Sequence, residues 1–176
     1  MAQYVRAVGI HMKYALAFVL AVAYHAVGGA QIQWLSWGEA AAKQAEAPRK
    51  MLVDVYTDWC GWCKEMDRRT FADPEVAREI NAHFYAVKLD AEAPGRLRYR
   101  GRTFSLETGA RRATHALARE LLGGRLGYPT MVFLDERGDV IQAVPGFHEA
   151  DAFLRMARYF GQDHYRRVAW EEFGRE

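Results

Sequence analysis

Cysteine is scarce in this chain: 176 residues hold only Cys60 and Cys63. A single pair three apart builds no disulfide framework and supplies only half of a four-cysteine zinc site. Histidine offers no second half, because His83, His115 and His148 are single and scattered. An excess of either charge is missing too. The net charge is +2, and the 24 bases fall to 22 once Arg6 and Lys13 are set aside, level with the 22 acids. Bulk charge therefore gives a nucleic-acid partner no support. No apolar run reaches the roughly 20 residues that span a bilayer. Internal repeats, low-complexity tracts and FAD- or NADPH-binding motifs are absent as well. What is present, 51% apolar and 26% charged residues, suits one packed domain with some additions.

The apolar run that does occur, Tyr14 to Tyr24, follows Arg6 and Lys13 and precedes Ala26, Gly28, Gly29 and Ala30. This three-part pattern predicts an export signal over residues 1–30. Cleavage is expected after Ala30, with Gly28 as the alternative. Met12-Lys13 would make a second, more compact start. The competing reading is an uncleaved membrane anchor, against which stand the shortness of the run and His25 within its flank. No cysteine lies near the cleavage site, which excludes a lipoprotein anchored through one. The mature protein, 31–176, is expected to be periplasmic or secreted.

Along that mature chain, Ala-, Glu- and Lys-rich composition predicts a helix within 31–50, with Trp34 and Trp37 serving the core. Met51–Tyr56 is a short apolar run broken by one acid, Asp54, and fits a buried central strand. Helical composition follows from Cys60 to Thr70. Asp73-Pro74 marks the next helix start, and Phe84–Asp90 reads as a second strand. Residues 91–126 follow no standard pattern: Arg96, Arg98, Arg100 and Arg102 alternate around Leu97 and Tyr99, Gly101 marks a turn, and Thr114–Leu122 looks helical. Thr130–Leu134 and Val140–Val144 form a hairpin, Ala150–Phe160 a helix, and Tyr165–Phe173 a short last helix. The order predicts an α/β fold with a central mixed sheet flanked by helices.

A Cys-x-x-Cys where a strand ends and a helix begins has a specific use. The first sulfur sits at the helix N-terminus, where free N–H groups and the dipole stabilise a thiolate. The second lies one turn on, close enough to close a disulfide and resolve a mixed one. A structural clip this short would constrain little of the unfolded chain. Two inert buried cysteines fit poorly with Trp59, Gly61 and Lys64 around them.

The stretch Leu52 to Lys64, with Asp54 six before Cys60 and Trp59 just before it, resembles the active-site strand and helix of thioredoxins. Lys88 in Val87-Lys88-Leu89-Asp90, Gly127-Tyr128-Pro129-Thr130 and Pro145-Gly146 extend the likeness over about Lys50 to Phe160. The resemblance implies a thioredoxin-like fold with an insertion, 91–126, before the cis-proline loop. A C-terminal helical extension over 162–176 is expected beyond the stretch the resemblance covers. Cys60 would be the nucleophile, Cys63 the resolver, Asp54 the proton carrier for Cys63, and Lys88 its supporting cation. Trp59, Gly61, Trp62, Tyr128 and Pro129 would form the substrate surface, with no metal and no cofactor beyond the Cys60–Cys63 disulfide itself.

Two positions depart from the family pattern. Trp62 stands where reducing thioredoxins carry proline and where oxidases and isomerases often carry histidine, which leans toward a reductase. It serves either as a docking surface or as a packed ring. The four arginines would share a face of an extended segment, as a solvated edge or as a dock for an acidic partner. The expected function is disulfide reduction in exported proteins by a monomer. With no cofactor motif of its own, such a protein needs a membrane thiol-electron donor of DsbD type. The alternatives are an oxidase or isomerase, and a peptide-binding module without redox turnover.

Overall fold

The computed structural model describes residues 30–108 and 112–174; the expected export signal, apart from Ala30, lies outside them. In chain order the elements are β1 (Trp34–Leu35), α1 (Trp37–Glu46), β2 (Lys50–Tyr56), α2 (Gly61–Arg69), α3 (Pro74–His83), β3 (Phe84–Asp90), β4 (Arg96–Tyr99), β5 (Arg102–Glu107), β6 (Thr114–His115), α4 (Ala116–Leu121), β7 (Thr130–Leu134), β8 (Val140–Pro145) and α5 (Ala150–Gly161). A 3₁₀ turn, His164–Arg166, follows.

Five strands make the main sheet in the order β1-β3-β2-β7-β8. β1, β2 and β3 run parallel, whereas β7 and β8 run antiparallel to their neighbours. β2 is therefore central, and six of its seven residues are buried. The sheet is mixed, as expected, with helices on both faces.

Strand alternation divides β2 between two cores. Leu52 joins Met66 of α2, Val76 and Ile80 of α3, Phe133 of β7, and Phe153 and Phe160 of α5. Met51, Val53 and Val55 join Trp37 of α1, Leu117 and Leu121 of α4, and Phe104 of β5. Asp54 shares its parity with Leu52, so the only acid of β2 points to the side on which α2 packs.

Among the described residues, the segment between β3 and β7 has a structure of its own. β4, β5 and β6 form a second, three-stranded antiparallel sheet. It is fastened to the domain where Trp37 Nε1 donates to the Arg98 carbonyl (2.9 Å) and Tyr99 Oη donates to the Gly138 carbonyl (2.6 Å).

Three local expectations are corrected and one is extended. The helix expected before Lys50 is present, but a strand precedes it: Trp34 and Leu35 pair with Ala86 and Val87, and α1 starts at the capping box of Ser36 and Glu39. The four arginines do not share a face. The chain reverses at Arg100 (φ 49°) and Gly101 (φ 76°), leaving Arg96 and Arg98 on β4 and Arg102 on β5. Thr114 and His115 form a strand before α4, with the His115 ring Nδ1 accepting the Leu117 N–H at the helix start. The C-terminal stretch is turns rather than a helix: Asp163 at φ 61° breaks continuity with α5, and the aromatic rings of Tyr165, Trp170 and Phe173 pack separately on α5. Among the described residues no helix is long and apolar enough to cross a membrane.

Candidate active site

β2 delivers the chain to the site. After Tyr56 it turns through Thr57–Trp59, and Cys60 becomes the residue capping α2. Its sulfur accepts the backbone N–H of Cys63 at 3.1 Å. That is the hydrogen bond that would support a thiolate once the pair is reduced. Cys60 and Cys63 are joined in a disulfide with their Cα atoms 5.3 Å apart, and both are buried. Gly61 opens the helix on the exposed side, and a Cβ built there would meet nothing within 4 Å. Its role is thus not forced by space.

Two tryptophans beside the pair stand out of the surface, Trp59 at 51% and Trp62 at 62% exposure. Trp59 Nε1 donates to Glu92 (3.0 Å), and its ring meets Tyr128 edge-on. Trp62 lies against Phe147 with ring centroids 5.5 Å apart. The Tyr128–Pro129 peptide bond is cis, and the Pro129 carbonyl accepts the Gly146 N–H at 2.8 Å. Trp62, Tyr128, Pro129, Gly146 and Phe147 together line an open groove of about 370 Å³ beside the disulfide. Of the five surface residues expected from the sequence, Trp62, Tyr128 and Pro129 line this groove, Trp59 meets Tyr128, and Gly61 is exposed at the start of α2.

Asp54 is only 1% exposed. One carboxylate oxygen receives Lys88 Nζ at 2.6 Å; the other has no hydrogen-bond partner. β2–β3 pairing sets this contact, because Asp54 lies opposite Lys88 in the parallel register. Desolvation raises the Asp54 pKa to about 6, only partly opposed by the Lys88 charge and hydrogen bond, with Asp67 pushing the same way as burial. For Lys88, burial disfavours the ammonium but the two acids outweigh it, so its pKa is raised.

The sequence reading did not single out Asp67, which also binds Lys88. Its position one turn after Cys63 on α2 was the available signal. Trp34, Tyr56 and Phe71 surround the same ammonium at 4.9, 5.2 and 5.2 Å from their ring centroids. Glu92, Phe147 and Arg112 were missed as well. They come from distant segments and carried no motif. Among the described residues no group of three His, Cys, Asp or Glu is arranged to hold a metal ion.

A redox-active cysteine pair at a helix start, faced by a cis-proline loop on a mixed five-stranded sheet, defines a thiol–disulfide oxidoreductase of thioredoxin fold. The chain belongs to the thioredoxin-like domain family, whose pattern matches residues 37–161. It is similar to the thiol:disulfide interchange protein DsbD of Pectobacterium atrosepticum, 32% identical over 118 residues, or 66% of this chain and 17% of that protein. The chain thus spans about a sixth of the length of the curated relatives it matches. A thioredoxin from Thermus thermophilus shares the fold, with a TM-score of 0.56 at 23% identity, over 81% of this chain and 94% of that one. So does a thioredoxin-fold protein from Helicobacter pylori, with a TM-score of 0.55 at 17% identity, over 72% and 77%.

Proposed function

We propose that the protein reduces disulfides of exported proteins. The observation that carries this is the disulfide capping α2 on the side of the sheet that holds a buried acid with a raised pKa. In the reduced state the Cys60 thiolate attacks one sulfur of a substrate disulfide. A Cys60–substrate bond forms and one substrate thiolate leaves. Cys63 gives its proton to Asp54 and attacks Cys60, closing the 60–63 disulfide and releasing the second substrate thiolate. Two electrons pass to the substrate. Lys88 holds Asp54 in place, and the backbone of the Tyr128–Pro129 loop pairs with the extended substrate. Trp59, Gly61 and Trp62 form the surface against which the substrate lies.

Trp62 in place of histidine favours the reducing direction, because no imidazole is there to stabilise the Cys60 thiolate and so make the disulfide more oxidising. A dithiol donor must then restore the pair. The likeness to proteins named for thiol:disulfide interchange supports a membrane relay of DsbD type in that role. The protein works as a monomer outside the cytosol. The test is the reduction potential of the Cys60–Cys63 pair, measured in glutathione and dithiothreitol buffers. A value near thioredoxin's, roughly −270 mV, is expected; one between about −120 and −180 mV would make it an oxidase or isomerase instead.

A further inference from the structure

Arg112 reaches the active site from the segment between β5 and β6. Its guanidinium carbon lies 4.5 Å from the ring centroid of Trp59, the residue before Cys60. Glu92 holds the two together. One of its oxygens accepts the Trp59 indole N–H, and the other lies 3.7 Å from Arg112 Nη1. That separation is an ion pair but lies beyond hydrogen-bond reach. Arg112 makes no hydrogen bond among the described residues, and its side chain is 61% exposed. A guanidinium is thus held over an exposed indole, next to the disulfide, with its N–H donors unspent.

Two further cations adjoin the site residues in sequence. Lys64, directly after Cys63, and Arg125, three residues before Tyr128, are exposed and form no ion pair among the described residues. The acids at this rim are Asp58, which is exposed, Asp90, whose carboxylate accepts the Glu92 backbone N–H, and Glu92, which is already engaged with Trp59 and Arg112. An incoming carboxylate therefore meets two unpaired cations besides the Arg112 guanidinium. A fixed guanidinium can bind it with two parallel N–H donors.

We infer that Arg112 is a specificity-determining residue that favours substrate disulfides with an acidic side chain beside the attacked cysteine. This rests on the dithiol-exchange reading of the site. Stacking on Trp59 fixes where the carboxylate binds, so the acid must lie close in sequence or space to the cysteine that meets Cys60. Arg112 acts at the encounter with substrate and takes no part in the transfer of electrons.

The test uses the reduced full-length protein and three disulfide-linked peptides that differ only in Glu, Gln or Lys beside the cysteine. The readout is the ratio of kcat/KM for the Glu peptide to that for the Gln peptide, in which general damage to a variant cancels. At low salt the wild-type ratio is expected to be about 3, with the Lys peptide slower still, the size of one exposed charge pair. It should shrink as salt is raised. Arg112→Gln should bring the ratio to about 1 on loss of that charge pair, and Arg112→Lys should leave an intermediate value because it keeps charge without the planar fork. A wild-type ratio of 1, or a preference that survives Arg112→Gln, overturns the inference while leaving dithiol exchange intact. Failure to reduce even the Gln peptide overturns both.

Discussion

Asp54 carries an energetic cost as well as a proton. Its folded pKa of about 6 stands above the ordinary 3.8, so between those values the folded state binds more protons than the unfolded state. Stability therefore falls as pH rises through that window and is flat above it, a loss of about 3 kcal/mol by neutral pH. Asp54→Asn should stabilise the oxidised protein at pH 7 by about 1–2 kcal/mol, since it also gives up the Lys88 ion pair. The gain should shrink by pH 4.5; urea unfolding at the two pH values checks this. The same variant should slow resolution of the mixed disulfide by about 10²-fold or more, the usual worth of a positioned proton acceptor. In the wild type that step should rise with pH through about 6, because only ionised Asp54 accepts the Cys63 proton. Asp67 shares Lys88 with Asp54 and raises the Asp54 pKa through its charge. Asp67→Asn should therefore move the inflection to lower pH. An unmoved inflection in stopped-flow traces would show that Asp67 has no hold on the proton.

Elements were legible wherever one local signal decided them. Asp73-Pro74 announced α3, and Asp73 does accept the N–H groups of Glu75 and Val76 at 2.8 and 3.1 Å. The apolar stretch of β2 fixed the central strand, and Cys-x-x-Cys fixed the start of α2. β1 was not legible because two residues show no period; only pairing with Ala86 and Val87 makes Trp34–Leu35 a strand. Ser36 and Glu39 form a capping box that was readable and was passed over. The β4–β5 hairpin hid behind the arginine alternation, which continues in sequence across a turn that separates it in space. At the site, the cysteines were found by their spacing, Asp54 by its offset from Cys60, and Lys88 and Pro129 through the family resemblance, whereas Glu92 and Arg112 meet Trp59 only through tertiary folding. One close approach between elements makes a prediction. A Cβ on Gly161, at the end of α5, would come 3.0 Å from both His83 Cβ and Phe84 Cε2. Gly161→Ala should therefore cost about 1–3 kcal/mol in thermal or urea unfolding by forcing α5 off α3.

At the scale of the whole molecule, a buried cation ties the last residues to the sheet. Lys50, at the start of β2, bonds Glu136 at 2.6 Å and Asp163 at 3.0 Å, and Arg166 bridges the same two acids. Burial alone would raise both carboxyl pKa values, but the Lys50 hydrogen bonds outweigh it and hold them below the ordinary range. This tie is therefore present at neutral pH and is lost as pH falls through those lowered values. Lys50→Ala should cost about 2–3 kcal/mol at pH 7. Lys50→Met should recover most of that, because the two acids reach solvent and the packing is kept. Chemical denaturation of both variants distinguishes the charge from the stem. The second sheet is joined to α1 through the Trp37 indole on the Arg98 carbonyl and the Trp37–Tyr99 ring contact. α1 and the β4–β5 hairpin are thus each other's wall. A chimera that grafts this hairpin onto another thioredoxin-like host, or trims it from this one, must move α1 with it, so the two segments behave in recombination as a single exchangeable part although some fifty residues of chain lie between them.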